Sequence, residues 1–334
     1  MKMPSSQIFA FRDPFPYQAA IRAADWEIFP TTKGEFRAEL TQINLNKLWM
    51  QRLHETLPQV QVGTLRPGRK VIGFLTDVHQ RDIQHRGANI SPCEIVTNSD
   101  VMHIRSAGNS RCGGMSLTDD DFDAACQALM GGKYEPSPYK HVVRPSPYLM
   151  TRLRTLHEII GQMAKATPDI LELTEVARSL EQQLIHLMVR CLTEGEQPEI
   201  SGGGRRHNII VLRLEELLEA NHDRPLYLTE ICAALNTAER TLRVACVEHL
   251  GMGPIRYLSL RRMHLVRRAL LRADPVMTTV TRVATDHGFW ELGRFSVSYR
   301  NLFGESPSET LRRPVQDKPE RLRRPSSLAG VTYQ

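Results

Sequence analysis

The chain has 334 residues, of which 41% are hydrophobic and 24% charged, and its formal net charge at pH 7 is +6. This length predicts two domains. No run of eighteen apolar residues occurs, and the first 25 residues lack the apolar core of a signal peptide. We therefore expect a cytoplasmic protein that does not bind or cross a membrane.

The basic residues are distributed unevenly along the chain. Residues 202–334 hold 21 Lys and Arg against 14 Asp and Glu, whereas residues 1–201 hold 22 against 23. A basic excess of this kind favours a polyanion such as double-stranded DNA, whose counterions are released on binding. A solvated arginine-rich surface is the alternative interpretation.

The N-terminal part is predicted to be β-rich. Residues 35–76 alternate apolar and polar positions in short runs, such as Phe36, Ala38 and Leu40, which is typical of half-buried strands. The pattern becomes helical at Asp119, where Thr118 and three aspartates favour a helix N-terminus.

The stretch from residue 102 to 125 has two interpretations. Arg105, Asn109 and Arg111 stand among small residues and could line a pocket for an acidic effector. Asn109 and the Gly113-Gly114 pair are ordinary turn formers, which favours a plain hairpin instead.

No chemistry of an enzyme is indicated elsewhere in the N-terminal part. His79, His85 and His103 lack the spacing of common metal sites, so we expect no metal and no other cofactor. The six cysteines form no Cys-x-x-Cys pair and are read as buried thiols, although Cys93 and Cys112 in loop-like sequence leave a redox switch open. Nothing matches a nucleophile elbow or a phosphate-binding glycine loop.

Two amphipathic segments, residues 148–166 and 169–192, follow the β-rich part. Leu173, Leu180 and Leu187 recur every seven residues, with Val176 and Leu184 between them. Such helices either pack on the sheet of their own chain or pair between two chains, which leaves a homodimer open. The sequence EGEQPEISGGG at residues 194–204 then predicts a flexible linker.

A helix-turn-helix pattern lies near the C-terminus. Phe295, Tyr299 and Leu302 recur at intervals of four and three residues, which is one face of a helix. Gly288 precedes this helix where a sharp turn requires a positive φ angle. Gly304 ends the helix, and Pro307 prevents its continuation.

The same pattern occurs 53 residues earlier. Gly251 and Pro254 match Gly304 and Pro307, and Leu242 and Cys246 match the two aromatic core positions at the same offset. Asn236 takes the turn position, since Asn tolerates the left-handed conformation. Residues 255–271 contain no Gly or Pro and predict a long helix between the two units, with its arginines directed outward.

These features carry a family resemblance. The motifs are Tyr257-Leu258, Arg262-Met263, the Gly288-Phe289 turn, Phe295 and Gly304-x-x-Pro307. They resemble the DNA-binding domain of the AraC/XylS transcriptional regulators over residues 205–313. The resemblance implies an all-α domain whose two helix-turn-helix units enter successive major grooves, about 34 Å apart on one face of DNA.

The first recognition helix is expected to read bases. With Leu242 and Cys246 on the core side, the residues available to the major groove are Arg240, Thr241, Arg243 and Val244. Arginine binds guanine O6 and N7 with two hydrogen bonds, so this helix can discriminate bases. Ala238 stands where a Ser often caps this helix, and the missing cap costs about 1 kcal/mol unless Thr237 replaces it.

The second recognition helix offers fewer donors. The residues at the family's groove-facing positions are Leu292, Gly293, Ser296 and Val297. They suit contact with thymine methyl groups or close approach of the backbone, while Arg294 and Arg300 reach phosphates. The first unit is therefore expected to dominate specificity.

The resemblance also implies a domain plan and a function. The fold class is α+β and multidomain, with a mixed β-rich sensor domain and its helices first and an all-α domain last. The predicted parts are a sensor domain at 1–147, a helical dimerisation segment at 148–193, a linker at 194–204, the DNA-binding domain at 205–313 and a basic disordered tail at 314–334. We expect a transcriptional activator that responds to an unknown small-molecule effector, contacts RNA polymerase and forms a homodimer.

Two other classes remain open. A ligand-independent repressor or architectural DNA-binding protein is distinguished by insensitivity to any effector. An enzyme fused to a DNA-binding domain is distinguished by turnover, and no residue of the sequence supports it.

Overall fold

The fold is given by a computed structural model, which describes residues 3–97, 101–135, 141–198, 202–221, 224–313 and 320–321. The strands are β1 Ser5–Phe11, β2 Ala24–Pro30, β3 Ala38–Asn44, β4 Trp49–Glu55, β5 Gln59–Leu65, β6 Arg69–Leu75, β7 Ile83–His85, β8 Ala88–Ile90, β9 Ile95–Thr97, β10 Val101–Ser106, β11 Ser110–Thr118, β12 Val142–Val143 and β13 Glu320–Arg321. The helices are α1 Pro14–Ala20, α2 Asp119–Met130, α3 Pro147–Ala166, α4 Pro168–Glu172, α5 Thr174–Glu194, α6 Gly202–Ala220, α7 Leu228–Ala234, α8 Glu239–Leu250, α9 Pro254–Arg272, α10 Val280–Asp286, α11 Leu292–Phe303 and α12 Pro307–Arg312.

The strands form two sheets that face each other across a cavity. The first sheet has the order β12-β9-β6-β11-β4-β3-β1-β13, and the second has the order β2-β5-β10-β7-β8. All described pairings are antiparallel. Since side chains alternate along a strand, each sheet directs one set of residues to the cavity and the other set outward.

Helices α2 to α5 cover the outer face of the first sheet. The core between them contains Met50, Phe74 and Met115 from the sheet and Leu153 and Leu184 from the helices. Thr118 caps α2, because its hydroxyl accepts a hydrogen bond from the Asp121 N–H at 3.2 Å.

The seven-residue leucine pattern serves mainly this intramolecular packing. Leu184 and Leu187 are buried in the core, and Leu180 packs against it, whereas Leu173 is 57% exposed. The predicted second helix is interrupted at Leu173, which separates α4 from α5.

Helices α6 to α12 form the all-α part, so the α+β multidomain architecture is confirmed. Helix α6 begins at Gly202, inside the segment predicted as a linker. Of the predicted tail, the structure describes only residues 320 and 321, as a strand on β1; the remainder lies outside the described residues. None of the described helices is both long and apolar enough to span a membrane.

The long helix α9 differs from the prediction in one respect. Its arginines were expected to face outward, but Arg261 is only 5% exposed. Its guanidinium binds Glu215 at 2.8 Å and Glu219 at 3.2 Å on α6, and Glu27 at 2.7 Å on β2. We refer to these four residues as the Arg261 cluster, which joins the N-terminal sheet to the C-terminal helices.

Further contacts hold α9 and the first helix-turn-helix unit against the N-terminal part. Arg267 pairs with Asp13 at 3.1 Å and with Glu305 at 2.5 Å. The His264 Nε2 atom lies 3.0 Å from the Pro30 carbonyl oxygen. Gly251 has a φ of +72°, which favours glycine, and the Arg105 side chain of β10 packs closely against it.

The first prediction concerns the Arg261 cluster. Replacing Arg261 with Ala leaves Glu215 buried without its cation, so we expect the free energy of unfolding to fall by about 3–5 kcal/mol. Urea unfolding at pH 7 measures this change. The matched control is Glu219→Gln, whose carboxylate is mostly exposed and should change stability by about 0.5 kcal/mol or less. Equal effects of the two substitutions would contradict the assignment.

Histidines are buried at the same contact between the sheet and α8. His103 on β10 and His249 on α8 have no hydrogen-bond partner among the described residues for either ring nitrogen. Burial, followed by the charges of Arg86 and His249, lowers the pKa of His103 to about 3. Burial also lowers the pKa of His249. Both side chains are therefore neutral at pH 7.

These histidines predict a loss of stability in acid. Because the folded pKa of His103 lies below its unfolded value, stability is complete above about pH 6.5 and falls toward pH 3. Within this window His103 contributes a loss of about 1.4 kcal/mol per pH unit. Urea unfolding at pH 7.5, 6.0 and 5.0 measures the slope, which His103→Leu should reduce and the exposed-site control His79→Leu should not. A slope that His103→Leu leaves unchanged would contradict this account.

Candidate nucleic-acid interface

Two helix-turn-helix units are present, as the repeat predicts. In the first, Asn236 adopts a φ of +47° between α7 and α8, and in the second, Gly288 adopts a φ of +78° between α10 and α11. Gly251 and Gly304 end α8 and α11 in the left-handed conformation. Pro254 and Pro307 do more than stop these helices, because each begins the next helix, where a missing N–H costs nothing.

The buried faces of α8 and α11 determine which residues remain available to DNA. Leu242 and Cys246 of α8 are fully buried. On α11, Tyr299 is fully buried and Phe295 is 3% exposed. On α8, Arg240, Arg243 and Val244 are exposed, and Thr241 is half-buried. Arg240 forms no ion pair with another described residue, whereas Arg243 pairs with Glu239 at 2.7 Å.

On α11 the predicted residues fall into three environments. Gly293, Ser296 and Val297 are exposed, and the Ser296 hydroxyl donates to the Leu292 carbonyl oxygen at 2.9 Å. Leu292 instead packs half-buried against the core of the second unit. Arg294 pairs with Glu291 at 2.8 Å, while Arg300 is exposed and makes no ion pair with a described residue.

A groove of about 830 Å³ runs between the two recognition helices. It is lined by Arg243 of α8, Arg256 of α9, Ser298 and Asn301 of α11, and Lys33 from the loop between β2 and β3. Sequence analysis missed Arg256, although its outward position at the start of the long helix could have indicated it. Lys33 has no sequence signal, because its place beside Gly304 depends on packing between distant segments.

The cavity between the two sheets has a volume of about 110 Å³. Its wall is mostly apolar and includes Trp26, Leu53, Leu65, Val71, Val96 and Met102. Its polar lining residues include Glu55, Gln61, Ser106 and Ser110, which come from both sheets. A small and largely apolar molecule fits such a site.

Arg105, Asn109 and Arg111 do not line this cavity. The residues next to them in sequence, Ile104, Ser106, Ser110 and Cys112, line the cavity instead. Arg105 packs against Gly251 instead, and the amide of Asn109 contacts His54 at 3.0 Å. The hairpin interpretation was also wrong, because β10 and β11 belong to different sheets and Gly113-Gly114 lies inside β11.

The two cysteines considered as redox residues lie in different environments. Cys112 lies in a strand and not in a loop, and burial raises its pKa to about 12, which disfavours the reactive thiolate. Cys93 is exposed. Within the part of the chain that the structure describes, no group of three or more His, Cys, Asp or Glu is placed to hold a metal ion.

Comparison with known proteins identifies the C-terminal domain. The family described as "Helix-turn-helix domain" matches residues 231–313. The chain is 40% identical over 103 residues to a probable thc operon regulatory protein of Rhodococcus erythropolis, and the matched segment covers 31% of each chain. The chain is also 34% identical over 99 residues to the XylDLEGF operon transcriptional activator 2 of Pseudomonas putida, and this match covers 30% of this chain and 63% of the relative. Residues 231–313 form a helix-turn-helix domain of the AraC/XylS type.

Longer but weaker similarity also occurs. Over 133 residues, the chain is 27% identical to the transcriptional activator RhaS of Pectobacterium carotovorum, covering 40% of this chain and 46% of that one. Among solved structures, the AraC-like transcriptional activator CuxR is 15% identical with a TM-score of 0.40, and the match covers 77% of this chain and 94% of that one. The matched segments of the curated relatives span less than two thirds of their length.

The start of α8 in the AraC-type domain lacks a side-chain cap, which gives a stability prediction. Ala238 occupies the N-cap position of α8 without a side-chain hydrogen bond, and the Thr237 hydroxyl donates to the Leu235 carbonyl oxygen instead. Ala238→Ser supplies an acceptor for a free N–H and should raise the free energy of unfolding by about 1 kcal/mol. The matched control, Ala234→Ser at the C-terminal end of α7, supplies no cap. Equal effects in urea unfolding would contradict the predicted role of the cap.

Proposed function

We propose that this protein is a sequence-specific DNA-binding transcriptional regulator that activates transcription in response to a small-molecule effector. The observation that carries the proposal is the pair of exposed recognition helices, α8 and α11, joined through the single helix α9. Its immediate partner is double-stranded DNA, and a promoter-bound activator of this kind contacts RNA polymerase. The proposal assigns no enzymatic reaction to the chain and places it in the cytoplasm.

The two recognition helices have different roles in this proposal. Arg240 is exposed and free of ion pairs with described residues, so its guanidinium is available to a guanine in the major groove. Arg243 must exchange its Glu239 partner for DNA, which reduces the net gain. The second helix offers Gly293, Ser296 and Val297, which support close approach more than base discrimination.

Phosphate contacts are assigned to the remaining basic residues. Arg300 and Arg256 are exposed, Lys33 lines the groove between the helices, and Arg294 lies at the start of α11. Contacts of this kind fix the register on the duplex and make the affinity depend on salt.

The cavity is proposed as the effector site, because only one sheet separates it from the DNA-binding domain. On β2, Trp26 lines the cavity while its neighbour Glu27 binds Arg261. On β10, Ile104 lines the cavity while Arg105 contacts Gly251. A ligand that shifts either strand therefore acts on α9 and on the end of α8. A ligand-independent repressor or architectural protein lacks this response.

A homodimer is proposed through the surface of helices α3 to α5 that the core leaves free. Ile159, Ile170 and Leu173 are exposed large apolar residues on these helices. The buried members of the leucine pattern already pack inside the chain. The three exposed apolar residues therefore remain available for contact with a second copy.

Selection of bound duplexes from a random DNA pool by the full chain tests the proposed function. We expect a motif with two blocks about one helical turn apart, near 34 Å. Arg240→Ala should lose about 1–3 kcal/mol of discrimination in one block. The matched variant Arg300→Ala should keep the motif and reduce the salt dependence of binding by about one phosphate contact. Recovery of no motif, with binding that only weakens as salt rises, would overturn sequence-specific regulation.

A further inference from the structure

Polar groups gather at one end of the cavity. Glu55 on β4 is the register partner of Ser110 on β11, and Ser106 on β10 is the register partner of Gln59 on β5. Glu55, Ser106 and Ser110 all line the cavity, although they come from two facing sheets. The loop between β10 and β11 brings the two serines to the same end.

Glu55 is a buried acid with no cation beside it. It is 3% exposed and accepts hydrogen bonds from the Tyr17 hydroxyl at 2.7 Å and from the Gln61 amide at 2.8 and 2.9 Å. It forms no ion pair with any described residue, whereas buried carboxylates are normally paired. Burial raises its pKa to about 7, against the opposing effect of these hydrogen bonds.

The Ser106 hydroxyl independently indicates that a polar ligand group binds in the cavity. Its hydroxyl is buried, lines the cavity and has no hydrogen-bond partner among the described residues. An unpaired buried hydroxyl costs about 1–3 kcal/mol, which a polar ligand group in the cavity would recover. Together with Glu55, it provides acceptors for a donor-rich group.

One cation, Arg22, lines the cavity at its other end. The Arg22 guanidinium donates to the Asn44 side-chain oxygen at 2.7 Å and lies 5.8 Å from the centre of the Trp49 ring. The Arg22 N–H donates to the Gln51 side chain at 2.9 Å, and Gln51 stands four residues before Glu55 on β4, about 13 Å away along the strand. Arg22 therefore lies at the opposite end of the cavity from Glu55 and does not neutralise it.

We propose that the effector is a small apolar amine, whose ammonium group pairs with Glu55 and donates hydrogen bonds to Ser106 and Ser110. This proposal rests on the proposed effector role of the cavity. An ammonium group has three donors, which match these three acceptors. The Ser110 hydroxyl also lies 3.4 Å from the Cys112 Sγ atom, and as a donor to that sulfur it keeps its oxygen lone pairs for the ligand. Its apolar body occupies the wall formed by Trp26, Leu65 and Met102.

The cavity limits the size of this amine. Its volume of about 110 Å³ is slightly below the roughly 150 Å³ of an engineered cavity that admits benzene. A short branched alkyl group with an aminomethyl arm, smaller than a substituted benzene ring, is therefore the expected scale.

Calorimetric titration of the full-length protein with three matched probes tests the proposal. The probes are isobutylamine, isobutanol and isobutyrate, which share a branched alkyl group and differ in the head group. Isobutylamine should bind and raise the melting temperature, and Glu55→Gln should weaken its binding at least tenfold. The control is Glu35→Gln, which changes an exposed carboxylate outside the cavity and should leave binding unchanged.

Proton release gives a readout that altered packing cannot imitate. Pairing with an ammonium group favours the ionised form of Glu55, so binding near pH 7 should release protons, and the observed enthalpy should differ between phosphate and Tris buffers. Glu55→Gln should remove this difference. A change in the binding heat with buffer that persists in Glu55→Gln would overturn the role of Glu55.

The remaining outcomes separate this inference from the proposed function. Preferred binding of isobutyrate or isobutanol would overturn the amine and retain an effector cavity. Failure of all three probes to bind, with selection of a DNA motif intact, would overturn the amine while sequence-specific DNA binding stands. Loss of motif selection by the unmodified protein would overturn the proposed function itself.

Discussion

The arrangement of the two parts depends on one buried guanidinium. Arg261 is held by three carboxylates, from β2 and from α6, and is almost without solvent contact. A buried charge is tolerated only where its partners are in place, so α9 has little freedom to leave the sheet without exposing the cluster to water. Both helix-turn-helix units are built on α9, and their orientation toward DNA consequently depends on the same contact.

Strand alternation connects this contact with the proposed effector cavity. A side chain and its neighbour on a strand lie on opposite faces of the sheet. Trp26 and Ile104 therefore belong to the cavity, and Glu27 and Arg105 belong to the domain contact. Coupling of this kind requires no long pathway, because a strand displaced by a ligand moves the residues on its other face.

The helix-turn-helix units could be predicted from sequence because their signals are local. Asn236, Gly288, Gly251 and Gly304 each adopt the positive φ that their positions indicate. The N-terminal site depends on pairings between distant strands, and a shift of one residue exchanges the two faces of a strand. Arg105 and Arg111 were chosen for their charge, but the residues that line the cavity are their neighbours. Glu55 gave no signal, since a single glutamate in an alternating strand looks like a solvated one.

The same reasoning refines the meaning of the basic charge. Residues 202–334 carry more Lys and Arg than Asp and Glu, but Arg261 and Arg267 are neutralised by carboxylates that include Glu27 and Asp13 of the N-terminal part. The charge on α9 that was expected to face a polyanion is thus partly used to join the domains. Among the exposed arginines near the recognition helices, Arg240, Arg256 and Arg300 form no ion pair with a described residue, whereas Arg243 and Arg294 are paired. Affinity for DNA should therefore depend on the placement of a few residues and not on the net charge of the domain, because only unpaired cations near phosphates release counterions.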